Sequence, residues 1–362
     1  VKRKRDEEAP PESDAVDGAP HPRVTTEFFG NEAAEQALLE AYRAGRLPQS
    51  WIIGGPEGIG KATLAWRFAR FLFAYPDPAA SEVRNAENLA LPANHPMIGK
   101  VASLALGDLF VLRREWNEKA RPVKHFTEIR VDDVRDAMEM FHLASASGGW
   151  RVCVIDCAED LNKSGANALL KLIEEPPPRS LFLFIAQRPG QILPTIRSRS
   201  RLLMMQPLAT DDVARAITAI GEPWSEFGAE IAAACAMSKG SVRKALRLLD
   251  EERFAFEQRL TGALAALPRI NWRDVHNLGD KIAGFGAEAL EDWEATLAAI
   301  YEWLDERVHA TDLPPARLAR YAEVWEKVTG AVRETEALNL DKRPLILSIF
   351  ADLAAAEQAA RR

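Results

Sequence analysis

The feature that most constrains this chain is a short apolar strand running directly into a glycine-rich loop and then a helix. Trp51-Ile52-Ile53 is followed by Gly55-Pro56-Glu57-Gly58-Ile59-Gly60-Lys61. Residues 61–73 then carry Leu64, Phe68 and Phe71 at helical spacing. Strand, loop and helix in that order form the frame in which backbone amides and a lysine cradle phosphate. Gly55, Gly58 and Gly60 let the backbone come close, and Lys61 places a cation against the outer phosphates. The next residue is ordinarily Ser or Thr, whose hydroxyl ligates Mg²⁺; here it is Ala62. Thr63 stands one position further on, turned by about 100° around the helix, and takes that role only if the loop shifts.

A mostly parallel sheet covered on both faces accounts for the rest of this half. Leu109–Leu112, Val152–Ile155, Leu181–Ala186 and Leu202–Met205 are further apolar strands. Helical patterns at 32–44, 131–145 and 163–174 alternate with them, and Pro176-Pro177-Pro178 stops the last. Beyond Pro207 strand signals fade, and 211–250 and 254–362 read as helical, with long helices at 287–308 and 318–335. The expected division is a disordered tail (1–22), an α/β domain (23–207), a helical lid (208–252) and an all-helical collar (253–362). The tail is charged and rich in Pro, and its Lys2–Arg5 cluster reads as a solvated segment.

Asp156 closes the strand Val152–Ile155, where an acid reaches a metal or water beside a phosphate loop. Glu159, three residues on, is the candidate for orienting water. Three cysteines without a Cys-x-x-Cys pair leave no zinc framework, and Cys153 reads as a small core side chain. A net charge of −7 argues against a surface that coats DNA. A charged loop follows Leu112 from Arg113 to Lys119, and Arg113, Arg114, Lys119, Arg121 and Lys124 form one basic cluster, read as a solvated face in preference to a DNA site. No apolar run approaches the length of a membrane span and no secretory signal is seen, so a cytoplasmic protein is expected.

Asn167-Ala168-Leu169-Leu170-Lys171-Leu172-Ile173-Glu174-Glu175-Pro176-Pro177 and Arg197-Ser198-Arg199-Ser200 follow the loop in a fixed order. With it they resemble the delta-prime branch of the bacterial DNA polymerase III clamp-loader family, from about residue 24 to residue 250. The resemblance implies an AAA+ module followed by a helical collar, in a hetero-pentamer with motor subunits and a delta subunit. It implies work on a sliding clamp and primed DNA as a component of the polymerase holoenzyme, with no independent ATPase. By resemblance Arg199 projects into a neighbour's ATP site, although Ser200 replaces the usual Cys of the Ser-Arg-Cys motif. Arg243, in Gly240-Ser241-Val242-Arg243, falls in the second sensor region at a helix start. The family's four-Cys zinc module is not encoded between Lys61 and Val152. ATP or ADP with Mg²⁺ is expected mainly at the neighbouring motor subunits. Two alternatives stay open: a self-sufficient AAA+ ATPase that remodels a replication complex, and a nonhydrolytic ATP-responsive binding module.

Overall fold

A computed structural model describes residues 12–16, 19–120, 124–142, 148–284, 286–309, 315–338 and 340–360. The Lys2–Arg5 cluster and Arg121 lie outside the described residues. The chain divides into two compact units, 1–246 and 247–362.

In the first unit the elements run α1 (Glu32–Arg43), β1 (Ser50–Gly54), α2 (Lys61–Ala74), α3 (Ser81–Arg84), α4 (Pro96–Ala102) and β2 (Leu109–Leu112). A small ribbon, β3 (Trp116–Asn117) and β4 (Lys124–His125), leads to α5 (Val131–His142), β5 (Arg151–Ile155), α6 (Lys163–Glu174) and β6 (Ser180–Ala186). Then come α7 (Pro194–Arg197), β7 (Arg201–Met204), α8 (Thr210–Ile220), α9 (Gly228–Met237) and α10 (Val242–Arg247). Five strands form one parallel sheet in the order β2-β5-β6-β1-β7. Strands buried on both faces must be apolar along their centres, and residues 51–53, 152–155 and 181–186 are, with polar Ser50, Arg151 and Ser180 only at the strand starts. Their residues alternate between two cores: Trp51, Ile53, Val152 and Val154 pack with α1 and α2, while Ile52, Cys153, Ile155 and Phe184 pack with α5 and α6.

Three expectations need correction. Leu202–Met205 is not a fully buried strand: β7 is one of the sheet's two edges, and unlike the residues of β2 at the other edge, Leu202 and Met204 lie exposed on one face. The charged stretch after Leu112 is not only loop, because Trp116 and Asn117 pair with His125 and Lys124 as an antiparallel ribbon. The acidic residues before 22 do not all belong to a disordered tail. Arg113 bonds Glu12 at 2.7 Å and Asp14 at 2.9 Å, Arg23 also bonds Glu12, and His21 is buried edge-on to Trp66 of α2. Composition marked this stretch as disordered; arginines from the folded body supply counter-charges to Glu12 and Asp14. The same pairing takes Arg113 out of the basic cluster, and Arg114 pairs with Asp160 at 3.3 Å. Glu12, Asp14 and His21 have the ligand types of a cation site, but the guanidinium groups of Arg113 and Arg23 already neutralise both carboxylates.

The second unit is helical: α11 (Glu251–Ala265), α12 (Trp272–Ile282), α13 (Ala287–Val308), α14 (Pro315–Ala337) and α15 (Lys342–Ala360). Its core gathers Phe256, Val275, Trp293, Ile300, Tyr321 and Phe350. No helix among the described residues is long and apolar enough to cross a membrane.

Candidate nucleotide loop and exposed arginine

The glycine-rich loop follows β1 and ends on α2, as the sequence predicts. Gly55, Gly58 and Gly60 all have positive φ, at 142°, 75° and 91°. Gly58 is needed for two reasons. Its φ disfavours an L side chain, and a Cβ there would stand 2.2 Å from the Ser241 Oγ and 2.8 Å from the Arg243 Cβ. The loop is therefore closed over by the start of α10. The Val242 amide donates to the Gly58 carbonyl at 2.9 Å, and Arg243 pairs with Glu57 at 3.1 Å. Gly58 thus specifies a docking surface as well as a turn, which a phosphate-loop pattern read alone does not reveal.

Lys61 is buried, and its ammonium donates to the carbonyl of Pro56 in the same loop. Burial holds its pKa below the ordinary lysine value, opposed by the fields of Glu57, Glu159 and Asp156. Ala62 and Thr63 occupy the first turn of α2, both half-buried. Burial pushes the Asp156 carboxyl up to about 6, and the nearby charge of Asp14 adds to this. The acid at the end of β5 is thus in place, but its environment opposes the charge that a metal ligand needs.

The sign of the resulting pH dependence follows from proton binding. Between about pH 4 and 6 the folded state keeps a proton on Asp156 that the unfolded chain releases. Stability is therefore lost as pH rises through that window, and the full cost is present above it. Asp156→Asn is expected to stabilise the chain at pH 8, by up to about 3 kcal/mol, with little effect at pH 4. Thermal melts of both proteins at the two pH values check this; equal gains at both would contradict it.

Glu159 does not face open solvent beside the loop. Its Oε1 accepts from the backbone amides of Gln187 and Arg188, at 2.9 and 3.1 Å, where the chain leaves β6. Its Oε2 is buried with no hydrogen bond among the described residues. The carboxylate ties the end of β5 to the end of β6. The sequence marked this residue as an acid near the loop, but its amide partners lie 28 and 29 residues away and leave no local signal.

Arg199 lies at the opposite end of the sheet. It follows α7 and precedes β7, whose Arg201 is in register with Trp51 at the start of β1. The guanidinium is 41% exposed, and its Nη2 meets the Oε1 of Glu174 at 2.7 Å. Its Nη1 donates to the Thr195 carbonyl at 3.1 Å and the Ser198 hydroxyl at 3.2 Å. Ser200 anchors the base of this turn: its hydroxyl bonds the Ile196 carbonyl at 2.8 Å and the Ser50 hydroxyl at 2.6 Å. Loop, Asp156 and Arg243 thus come together at one end, while Arg199 stands apart at the other.

The strand order, the loop after β1, the acid after β5 and an arginine-bearing helix docked on the loop define an AAA+-type α/β module. Residues 30–209 match the family described as "DNA polymerase III, delta subunit". The delta' subunit of Pseudomonas aeruginosa DNA polymerase III is 36% identical over 152 residues, covering 41% of this chain and 40% of that one. The Escherichia coli delta' subunit is 27% identical over 265 residues, covering 72% of each. The gamma/tau subunit of Mycobacterium tuberculosis is 31% identical over 180 residues, covering 49% of this chain; the match spans only 28% of that longer protein. Through its α/β half the chain belongs to the clamp-loader family of DNA polymerase III subunits.

Proposed function

We propose that this chain is the stator-like, delta-prime-type subunit of a DNA polymerase III clamp loader. In this reading it supports ATP-dependent loading of a sliding clamp onto primed DNA and offers Arg199 to a neighbouring motor subunit. Its partners are motor subunits and a delta subunit in a hetero-pentamer, with a lid (208–252) and a collar (253–362) after the α/β domain. The observation that carries the reading is the placement of Arg199. β1 and β7 run parallel with Trp51 opposite Arg201, and the loop begins at Gly55. Five residues of strand separate the two ends by about 17 Å. An arginine side chain does not span that distance, so Arg199 does not reach this chain's own loop, which supports a role at a site on another molecule.

The chain's own loop supports the complementary half of the reading. It fits phosphate through its glycine backbone and Lys61, but it does not fit Mg²⁺ in the ordinary way. Ala62 offers no hydroxyl, and Asp156 sits where its charge is disfavoured. Lys61 and Arg243 are occupied by Pro56 and Glu57, and Glu159 by backbone amides. Hydrolysis then belongs to the neighbours. There Arg199 contributes a permanent, planar positive charge against the charge that develops on phosphoryl oxygens. One observation favours a second reading, a nonhydrolytic ATP-responsive module: the start of α10 rests directly on the loop, so phosphate binding there would meet Arg243.

The test of the stator reading uses the purified chain alone. ATP turnover is expected at background, with or without primed DNA. DNA-stimulated turnover that Lys61→Ala abolishes would overturn it.

A further inference from the structure

We infer that Glu174 is a latch for Arg199, holding the guanidinium in cis until a neighbouring subunit's phosphate displaces the carboxylate. This rests on the reading of Arg199 given above, and it adds the residue that controls when the arginine is available. Two donors of the guanidinium are used differently. Nη1 is held by the chain's own turn, through the Thr195 carbonyl and the Ser198 hydroxyl. Nη2 is held by a side chain from another helix, the Glu174 carboxylate at 2.7 Å. The first pair of contacts orients the arginine; the second occupies the edge that a phosphate would take.

Glu174 is a poor choice for stabilising its own helix. It is the last residue of α6, where the helix presents its negative end and a carboxylate is disfavoured. Lys171 in the same turn is the residue type that suits this place. The acid is compensated by Arg199, which feels both the carboxylate and the helix end. The pair is also built to exchange. Glu174 is 46% exposed and Arg199 41%, so water screens their attraction. A phosphate group carries more charge and accepts two parallel N–H bonds from the guanidinium fork, so it competes well with such a pair. Among the described residues no other carboxylate bonds Arg199, so this single side chain sets the competition.

The experiment is ATP turnover by the full assembly, reconstituted from this chain and its companion clamp-loader subunits, without clamp or DNA. Glu174→Gln keeps the shape and removes the charge. It is expected to raise resting turnover at the site facing this chain, read under single-turnover conditions, by about two- to fivefold, the factor by which an exposed ion pair biases an equilibrium. Glu174→Asp, which keeps the charge, is expected to stay near the unaltered protein. The double variant Glu174→Gln with Arg199→Ala should match Arg199→Ala alone, because a latch has no effect without its bolt. Mass photometry confirms that each assembly forms, and Glu174→Ala repeats the test should the Gln variant not assemble. Lowered or unchanged turnover in Glu174→Gln, alongside lowered turnover in Arg199→Ala, would overturn the latch and leave the arginine's role in place. Unchanged turnover in Arg199→Ala would overturn the arginine's role itself.

Discussion

Replacing Arg199 with Ala is expected to cut ATP turnover at the neighbouring site by about 10³-fold or more, while the assembly still forms. The size follows from what a guanidinium does in phosphoryl transfer. Charge accumulates on the transferred group in the transition state, and a fixed cation stabilises that state more than the ground state. Binding of ATP should change far less than turnover. Arg199→Lys should recover only part of the loss, because an ammonium lacks the two-pronged geometry. In an assembly with several working sites, steady-state turnover falls only by the share of the site facing this subunit, so single-turnover measurements read the effect in full. Assembly is spared because Arg199 is a surface residue: its contacts are a half-exposed ion pair and bonds within its own turn. Unchanged turnover in a correctly formed complex would rule the role out.

The largest effect on stability is expected at Glu35. This residue of α1 pairs with Arg67 of α2 at 2.6 Å, and both side chains are at least nine-tenths buried. Glu35 Oε1 also accepts the Leu89 amide at 3.0 Å, and Arg67 donates to the Thr26 carbonyl. Glu35→Ala strands a guanidinium in the core and an amide beside it, at a cost of about 3–5 kcal/mol. Replacing both partners by Met removes the uncompensated charge and should cost clearly less than the single change. Urea unfolding of the three proteins distinguishes these outcomes. A double variant as unstable as Glu35→Ala would show that the cost lies in lost packing.

These two residues also mark how far the sequence can be read. The strands at 51–53, 109–112, 152–155 and 181–186 are legible because a strand buried on both faces must be apolar at every position. The positions of Lys61, Asp156 and Arg199 are legible because each stands at a fixed offset from a strand or helix end. The edge strand is misread, since Leu202 and Met204 have the same composition as core residues and only their neighbours reveal that they face outward. Two-residue strands such as Trp116–Asn117 are too short to show any period. The most consequential gaps are pairings between distant residues. Arg243 with Glu57, Glu159 with the amides after β6, and Arg199 with Glu174 all decide what a recognised residue is free to do. None of them leaves a trace in local spacing, because each depends on the sheet bringing separate segments together.

Ser200 carries a further consequence, in redox terms. The family's motif has a thiol at this position; this chain has a hydroxyl, bonded at 2.6 Å to Ser50 and at 2.8 Å to Ile196. A thiolate climbs a ladder of oxidised forms under peroxide, each bulkier and more polar than the last, whereas an alcohol is inert. The three cysteines of the chain lie elsewhere, at 153, 157 and 235. The mounting of Arg199 therefore holds no oxidisable sulfur at this position, and its geometry does not answer to oxidative stress there.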